Sequence, residues 1–139
     1  MHFVEMKICE KVGKIIVECQ KNYQKDDLLL VRTWLLSDTY AKILDEDVVL
    51  CSQAVTYIAK VFMEENKNRM IENIKPQVIS SEILYWFGYL ITYWCIEYNE
   101  LPKNIAYSYN ISSILESYEV LHSLSIKTEI SKIKEDCVL

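Results

Sequence analysis

Apolar residues recur along this chain at helical intervals. Val4, Ile8, Val12, Ile15, Ile16 and Cys19 follow one another three and four residues apart, the spacing of one helix face, so a first helix is expected from Val4 to about Asn22. Lys7, Lys11, Lys14, Lys21 and Lys25 fall largely on another face and read as a solvated row. Asp26 and Asp27 stand where a helix cap belongs, ahead of the apolar run from Leu28 to Leu36 that contains Trp34. Ser37-Asp38-Thr39 supplies the next break and cap, leading into a short helical stretch through Tyr40, Ile43 and Leu44. A longer helix is expected over 47–66, with Val48, Cys51, Val55, Ile58 and Phe62 on one face and Thr56, Lys60 and Glu64 on the other. The stretch 66–76 is polar and reads as a short helix plus loop. A boundary falls at Lys75, because Pro76 disfavours helical backbone in the residue before it.

The second half is more apolar. Ser80-Ser81-Glu82 offers a cap and a first-turn carboxylate for a helix over 83–98, which is apolar nearly all round and is therefore expected at the centre of the fold. Its apolar run ends at Ile96, short of the roughly 20 residues a membrane span needs. Pro102 suits a first helical turn, opening a short helix to about Tyr109. Ser113 and Glu116 have capping-box spacing for a helix carrying Ile114, Leu115, Tyr118, Leu121 and His122, and Ser125 is placed to cap a last one. The 51% hydrophobic composition excludes a disordered chain, and two Gly and two Pro are too few for the tight turns of a many-stranded sandwich or barrel. The expected fold is all-α, a single compact bundle of about six to seven helices over 1–139 around the buried aromatic helix 83–98.

Chemistry narrows the function by exclusion. The net charge of -5 argues against nucleic-acid binding, which needs a Lys/Arg surplus on one face. The region 102–121 has helix-turn-helix spacing, but its second helix offers Glu116 and Glu119 and no basic residue. The five cysteines lack paired spacing, and four of them lie in apolar or amphipathic runs as small hydrophobes, which suits a reducing, cytoplasmic setting. Glu5 and Glu10 interrupt any secretory signal, and Cys137 stands one position short of a prenylation box. No zinc-protease motif, Cys/His metal spacing or Gly-rich phosphate loop is present, and the carboxylate pairs Glu64/Glu65 and Glu116/Glu119 lack a partner that would separate an acid from a base. No catalytic residue, metal or cofactor is assigned. His122 is expected at a helix C-terminus, where the helix dipole favours it.

What remains is aromatic. Trp86, Leu90 and Trp94 form a row expected in the core. Tyr85, Tyr89 and Tyr93 form a neighbouring row that suits either a rim or a binding surface. Gly88 weakens the helix and is expected to permit close packing of another backbone or side chain. Seven of the ten tyrosines (85, 89, 93, 98, 107, 109 and 118) lie in one stretch, so the candidate partner-binding residues are Tyr85, Tyr89, Tyr93, Tyr118 and His122.

The segments "ILYWFGYLITYW" and "IAYSYNISSILESYEVLHSL" resemble an uncharacterised family of small all-helical proteins of Gram-positive bacteria. The shared features are Gly88-Tyr89, Tyr93-Trp94 and a Tyr-x-x-Leu-His read here between Tyr118 and His122, and the likeness spans about 35–135. Where relatives tend to carry His after the Tyr-Trp, this chain has Cys95. The resemblance implies an accessory protein of toxin–antitoxin-like operons, beside ADP-ribosyltransferase-like toxins. The expected function is thus an antitoxin-like or inhibitor protein that binds and neutralises a partner protein. A phage-encoded inhibitor of a host defence protein fits the same features. The other alternative is a small-ligand or enzymatic bundle with Tyr89, Tyr93, Tyr118 and His122 on one pocket. An exposed aromatic face would suit a homodimer as well as a foreign partner.

Overall fold

The computed structural model describes residues 3–22, 26–70 and 75–139. His2, Lys25 and part of the expected short helix in 66–76 lie outside the described residues, as do the side chains of Val4 and Val48. Among the described residues there are ten helices and no strand. The long ones are α1 (Phe3–Asn22), α2 (Asp27–Leu36), α5 (Val55–Asn66), α6 (Ser81–Glu97) and α10 (Ile126–Asp136). Shorter pieces connect them: α3 (Asp38–Leu44), α4 (Val48–Cys51), α7 (Pro102–Ser108), α8 (Ile111–Glu116) and α9 (Tyr118–Leu121). The fold is all-α, and no described helix is long and apolar enough to cross a membrane.

Most boundaries follow from local capping. Asp26 accepts from Leu29 N–H, Ser37 from Tyr40 N–H, Ser80 from Ile83 N–H and Ser125 from Thr128 N–H, each satisfying an orphan amide of the first turn. At the far end of α6, Asn99 turns into the left-handed region (φ 50) and Glu100 N–H reaches back to Cys95 O at 3.0 Å. Asn tolerates that conformation, and the back-bond closes the helix end.

Two expected helices are broken, which raises the number of elements. The helix expected over 47–66 stops at Cys51 and restarts at Val55. Polar side chains take the last carbonyls of α4: Ser52 Oγ donates to Val49 O at 2.9 Å, and Lys11 Nζ, reaching over from α1, donates to Cys51 O. The helix expected from Ser113 starts earlier, because Asn110 is the cap and its side chain accepts from Ser113 N–H at 3.1 Å. It then breaks at Ser117, whose hydroxyl donates back to Ile114 O at 2.6 Å. The entry into α8 is pinned by the chain end, with Asn110 N–H donating to Cys137 O and Leu139 N–H to Ser108 O.

The apolar stripe of α1 (Cys9, Val12, Ile15, Ile16, Cys19) lies against Leu84, Phe87, Leu90 and Ile91 of α6, all fully or almost fully buried. α5 also packs on α1, α2 rests on α1 and α7, and α10 and α8 pack on α6. A second aromatic centre sits beside this pair: the Trp34 ring stacks on Tyr40 at 4.9 Å and meets the Phe62 ring edge-on at 5.0 Å. Tyr40 joins the two centres through its hydroxyl, 2.7 Å from that of Thr92, which itself bonds Gly88 O.

Gly88 has the role its sequence position suggested, and its counterpart is the other glycine of the chain. A Cβ on Gly88 would stand 2.9 Å from Gly13 Cα and 3.1 Å from Gly13 N, and one on Gly13 would stand 2.9 Å from Tyr85 O. These obstacles are backbone, so the helices cannot yield by a rotamer change. Alanine normally favours a helix by about 1 kcal/mol over glycine, but overpacking costs about 1–3 kcal/mol. Gly13→Ala and Gly88→Ala should each lower the unfolding free energy, by up to about 2 kcal/mol, and the double variant should lose less than the sum because the helices are forced apart only once. Urea unfolding of the three variants checks this; stabilisation by either single substitution would contradict it.

Candidate partner-binding groove

One turn of α6 beyond its cap, Tyr85, Trp86 and Tyr89 emerge half-buried from the core. They form one wall of an open groove of about 670 Å³. Tyr118 of α9, its C-terminal cap His122 and the Glu129 carboxylate of α10 line the same groove. Val17, Leu90 and Ile126 supply apolar surface, while Ser81 and Glu82 stand at the start of α6.

The walls are tied to each other. Trp86 Nε1–H donates to Glu129 Oε2 at 2.6 Å. The Tyr118 ring meets Trp86 edge-on at 5.4 Å, and the His122 ring stacks on Tyr118 at 4.3 Å with 14° between planes. His122 Nδ1 lies 2.8 Å from Tyr118 O. A carbonyl only accepts, so Nδ1 carries a proton; Nε2 accepts in the neutral form of the ring and donates in the charged form. His122 therefore ends its helix as the sequence predicts. Burial lifts the Tyr85 and Tyr89 phenols above 10.0, which keeps both hydroxyls protonated.

Four of the five sequence-assigned residues thus meet: Tyr85, Tyr89, Tyr118 and His122. Tyr93 does not join them. Each four-residue step along a helix overshoots a full turn by roughly 40°, so Tyr93 is carried round into the core and is only 8% exposed. The other tyrosines of the stretch separate as well: Tyr109 packs edge-on against Trp94, Tyr98 lies under Lys134, and Tyr107 faces solvent. Trp94 and Leu90 are core as expected, but Trp86 belongs to the groove. Glu82, expected only as a first-turn carboxylate, and Glu129 also line the groove. The signal for Glu129 was its place among Ile126, Ile130 and Ile133 on one face of α10, where a carboxylate is out of keeping with its neighbours.

A second groove of about 740 Å³ runs beside the lysine row, between α1 and the α4–α5 break. Lys7, Lys11 and Lys14 are interleaved there with Glu10 and Glu46, and Lys11 is engaged by the Cys51 carbonyl, so its charge is mixed and partly spent. All five cysteines are free thiols; burial pushes Cys9, Cys19 and Cys95 up to about 12, far from the reactive thiolate range. No family model, curated protein or solved structure matches the chain.

Glu129 is 5% exposed and its carboxyl is held above the usual 4.5, chiefly by burial, with the Trp86 hydrogen bond and His122 opposing. A carboxyl whose pKa is raised on folding stabilises fully below its unfolded value and loses that contribution as pH rises through the folded value. Glu129→Gln keeps an oxygen for Trp86 and removes the ionisation. At neutral pH this variant should unfold at or above the wild-type temperature, and any advantage should shrink as pH falls to about 4. Thermal unfolding from about pH 4 to about pH 8 measures it; a variant less stable at neutral pH than at pH 4, relative to wild type, would be the opposite sign.

Proposed function

We propose that the protein is an antitoxin-like or inhibitor protein that binds and neutralises a partner protein through the groove formed by α6, α9 and α10. One observation carries this reading: Tyr85 and Tyr89 meet Tyr118 and His122 from a distant part of the chain on a single open groove, with Trp86 between them. Tyrosine and tryptophan supply large rigid contact area with a polar handle, the composition of interface hot spots. The Trp86, Tyr118 and His122 rings are already braced against one another, so little of their side-chain freedom is lost on binding. The groove is open along one side, which suits a protruding segment of another protein. The likeness over 35–135 supports a partner in a toxin–antitoxin-like pair, an ADP-ribosyltransferase-like toxin among the candidates. Five free thiols, four of them buried, support a reducing cytoplasmic setting.

Tyr89→Ala with Tyr118→Ala is the informative variant, because both rings are half-buried at the groove and neither is in the fully buried core. The tagged wild-type protein should retain a stoichiometric partner from its native host, and the double variant should lose at least about 2 kcal/mol of affinity for it, as hot-spot residues do. Its melting temperature should stay within a few degrees of wild type. Undiminished affinity would remove the groove from the interface; collapse of stability would assign both tyrosines to the core.

A further inference from the structure

We infer that the groove receives an arginine side chain of the partner, with the guanidinium directed to Glu129 between the aromatic walls. This rests on the partner-binding reading above and specifies the chemistry of what enters. Among the described residues Glu82 and Glu129 line the groove and no lysine or arginine does; its basic group is the His122 imidazole, which acts on Glu129. His122 is anchored through Nδ1, and in the neutral form of the ring its Nε2 is a further acceptor.

Glu129 lies in the protein at an energetic cost. Trp86 Nε1–H satisfies one of its oxygens, but an ionised carboxylate accepts several hydrogen bonds, and an indole N–H brings no positive charge. A cation in the groove would supply both. Guanidinium fits this setting better than ammonium. It is more weakly hydrated, so entering an apolar groove costs it less, and it is planar, so it can lie against an aromatic ring while bonding a carboxylate edge-on. Trp86 and Tyr118, held at 75° to each other, and Tyr85 and Tyr89 on the same groove provide those rings.

The test titrates the full chain with four capped tripeptides, acetyl-Gly-X-Gly-amide with X as Arg, Lys, Gln or Leu, and follows the Trp86 indole N–H by NMR. The range extends to about 50 mM, as a fragment of this size requires. The Arg peptide should shift that resonance saturably and bind about tenfold more tightly than the Gln peptide, equivalent to 1.4 kcal/mol, with Lys between them. Glu129→Gln, shown folded by its other indole resonances, should abolish the Arg preference. The inference is overturned by an absent Arg response, by equal Arg and Lys or Arg and Gln binding, by tighter Leu binding, or by an Arg preference that survives in Glu129→Gln. A partner captured through Tyr89 and Tyr118 alongside any of these results would leave the groove as the interface and remove only the arginine. Arginine binding with no partner dependent on those tyrosines would do the reverse.

Discussion

The close crossing of α1 and α6 at Gly13 and Gly88 is the constraint on which the rest of the structure depends. Two backbones meet where neither helix has a Cβ, and Tyr85 lies directly over Gly13. The position of Tyr85 along α6 is thereby fixed against α1, and with it the phase of the whole aromatic row. Phe87, Leu90 and Trp94 turn inward while Trp86 and Tyr89 are left at the edge. The approach is reinforced at the start of α6. Asp27 Oδ2 accepts from Ile79 N–H at 2.7 Å and from Gln20 Nε2–H at 2.9 Å, and Ser81 Oγ donates to Gln20 Oε1. The end of α1, the start of α2 and the segment leading into α6 are thus joined by one hydrogen-bond knot. Its effect is to hold the first turn of α6, where the groove begins, in a set position.

The groove inherits its rigidity from this frame and its polarity from α10. A carboxylate on the apolar face of α10 would ordinarily be a defect, since the core-facing positions around it are isoleucine. Its contact with Trp86 turns it into a brace: the indole is held by one hydrogen bond, Tyr118 packs on the indole edge-on, and His122 stacks on Tyr118. Stability and recognition pull in opposite directions at such a residue. Burial makes the ionised form unfavourable in the free protein, and a cation entering the groove would relieve that cost.

Much of the fold is legible in the sequence because its signals are local. Asp26, Ser37, Ser80 and Ser125 cap their helices within three residues of themselves, and Pro102 opens α7 for reasons contained in its own ring. The break at 52–54 has a different origin, because Lys11 from another helix takes the carbonyl at the end of α4. That contact has no signature in the segment that it interrupts. The break at Ser117 is local, made by its own hydroxyl on Ile114 O, whereas the start of α8 is held by the distant residues Cys137 and Leu139. The groove divides along the same line. Tyr85, Tyr89, Tyr118 and His122 stand out by type and spacing, whereas the exclusion of Tyr93 depends on how far round α6 the core extends. Glu129 was visible only as a polar residue in an apolar stripe, and its meaning required Trp86, which lies 43 positions away. Gly13 was equally silent, since a glycine within an amphipathic helix acquires its role only when a second one is placed opposite.

The most direct measurement of this frame is a nuclear Overhauser spectrum of the labelled protein in solution, read at the two glycines. A close crossing predicts a strong cross-peak between the Gly13 and Gly88 α-protons, with Gly13 also in contact with the Tyr85 ring. Helical chemical shifts for both segments without those cross-peaks would mean that α1 and α6 form but do not meet there, and the groove as described would have no frame to hold it.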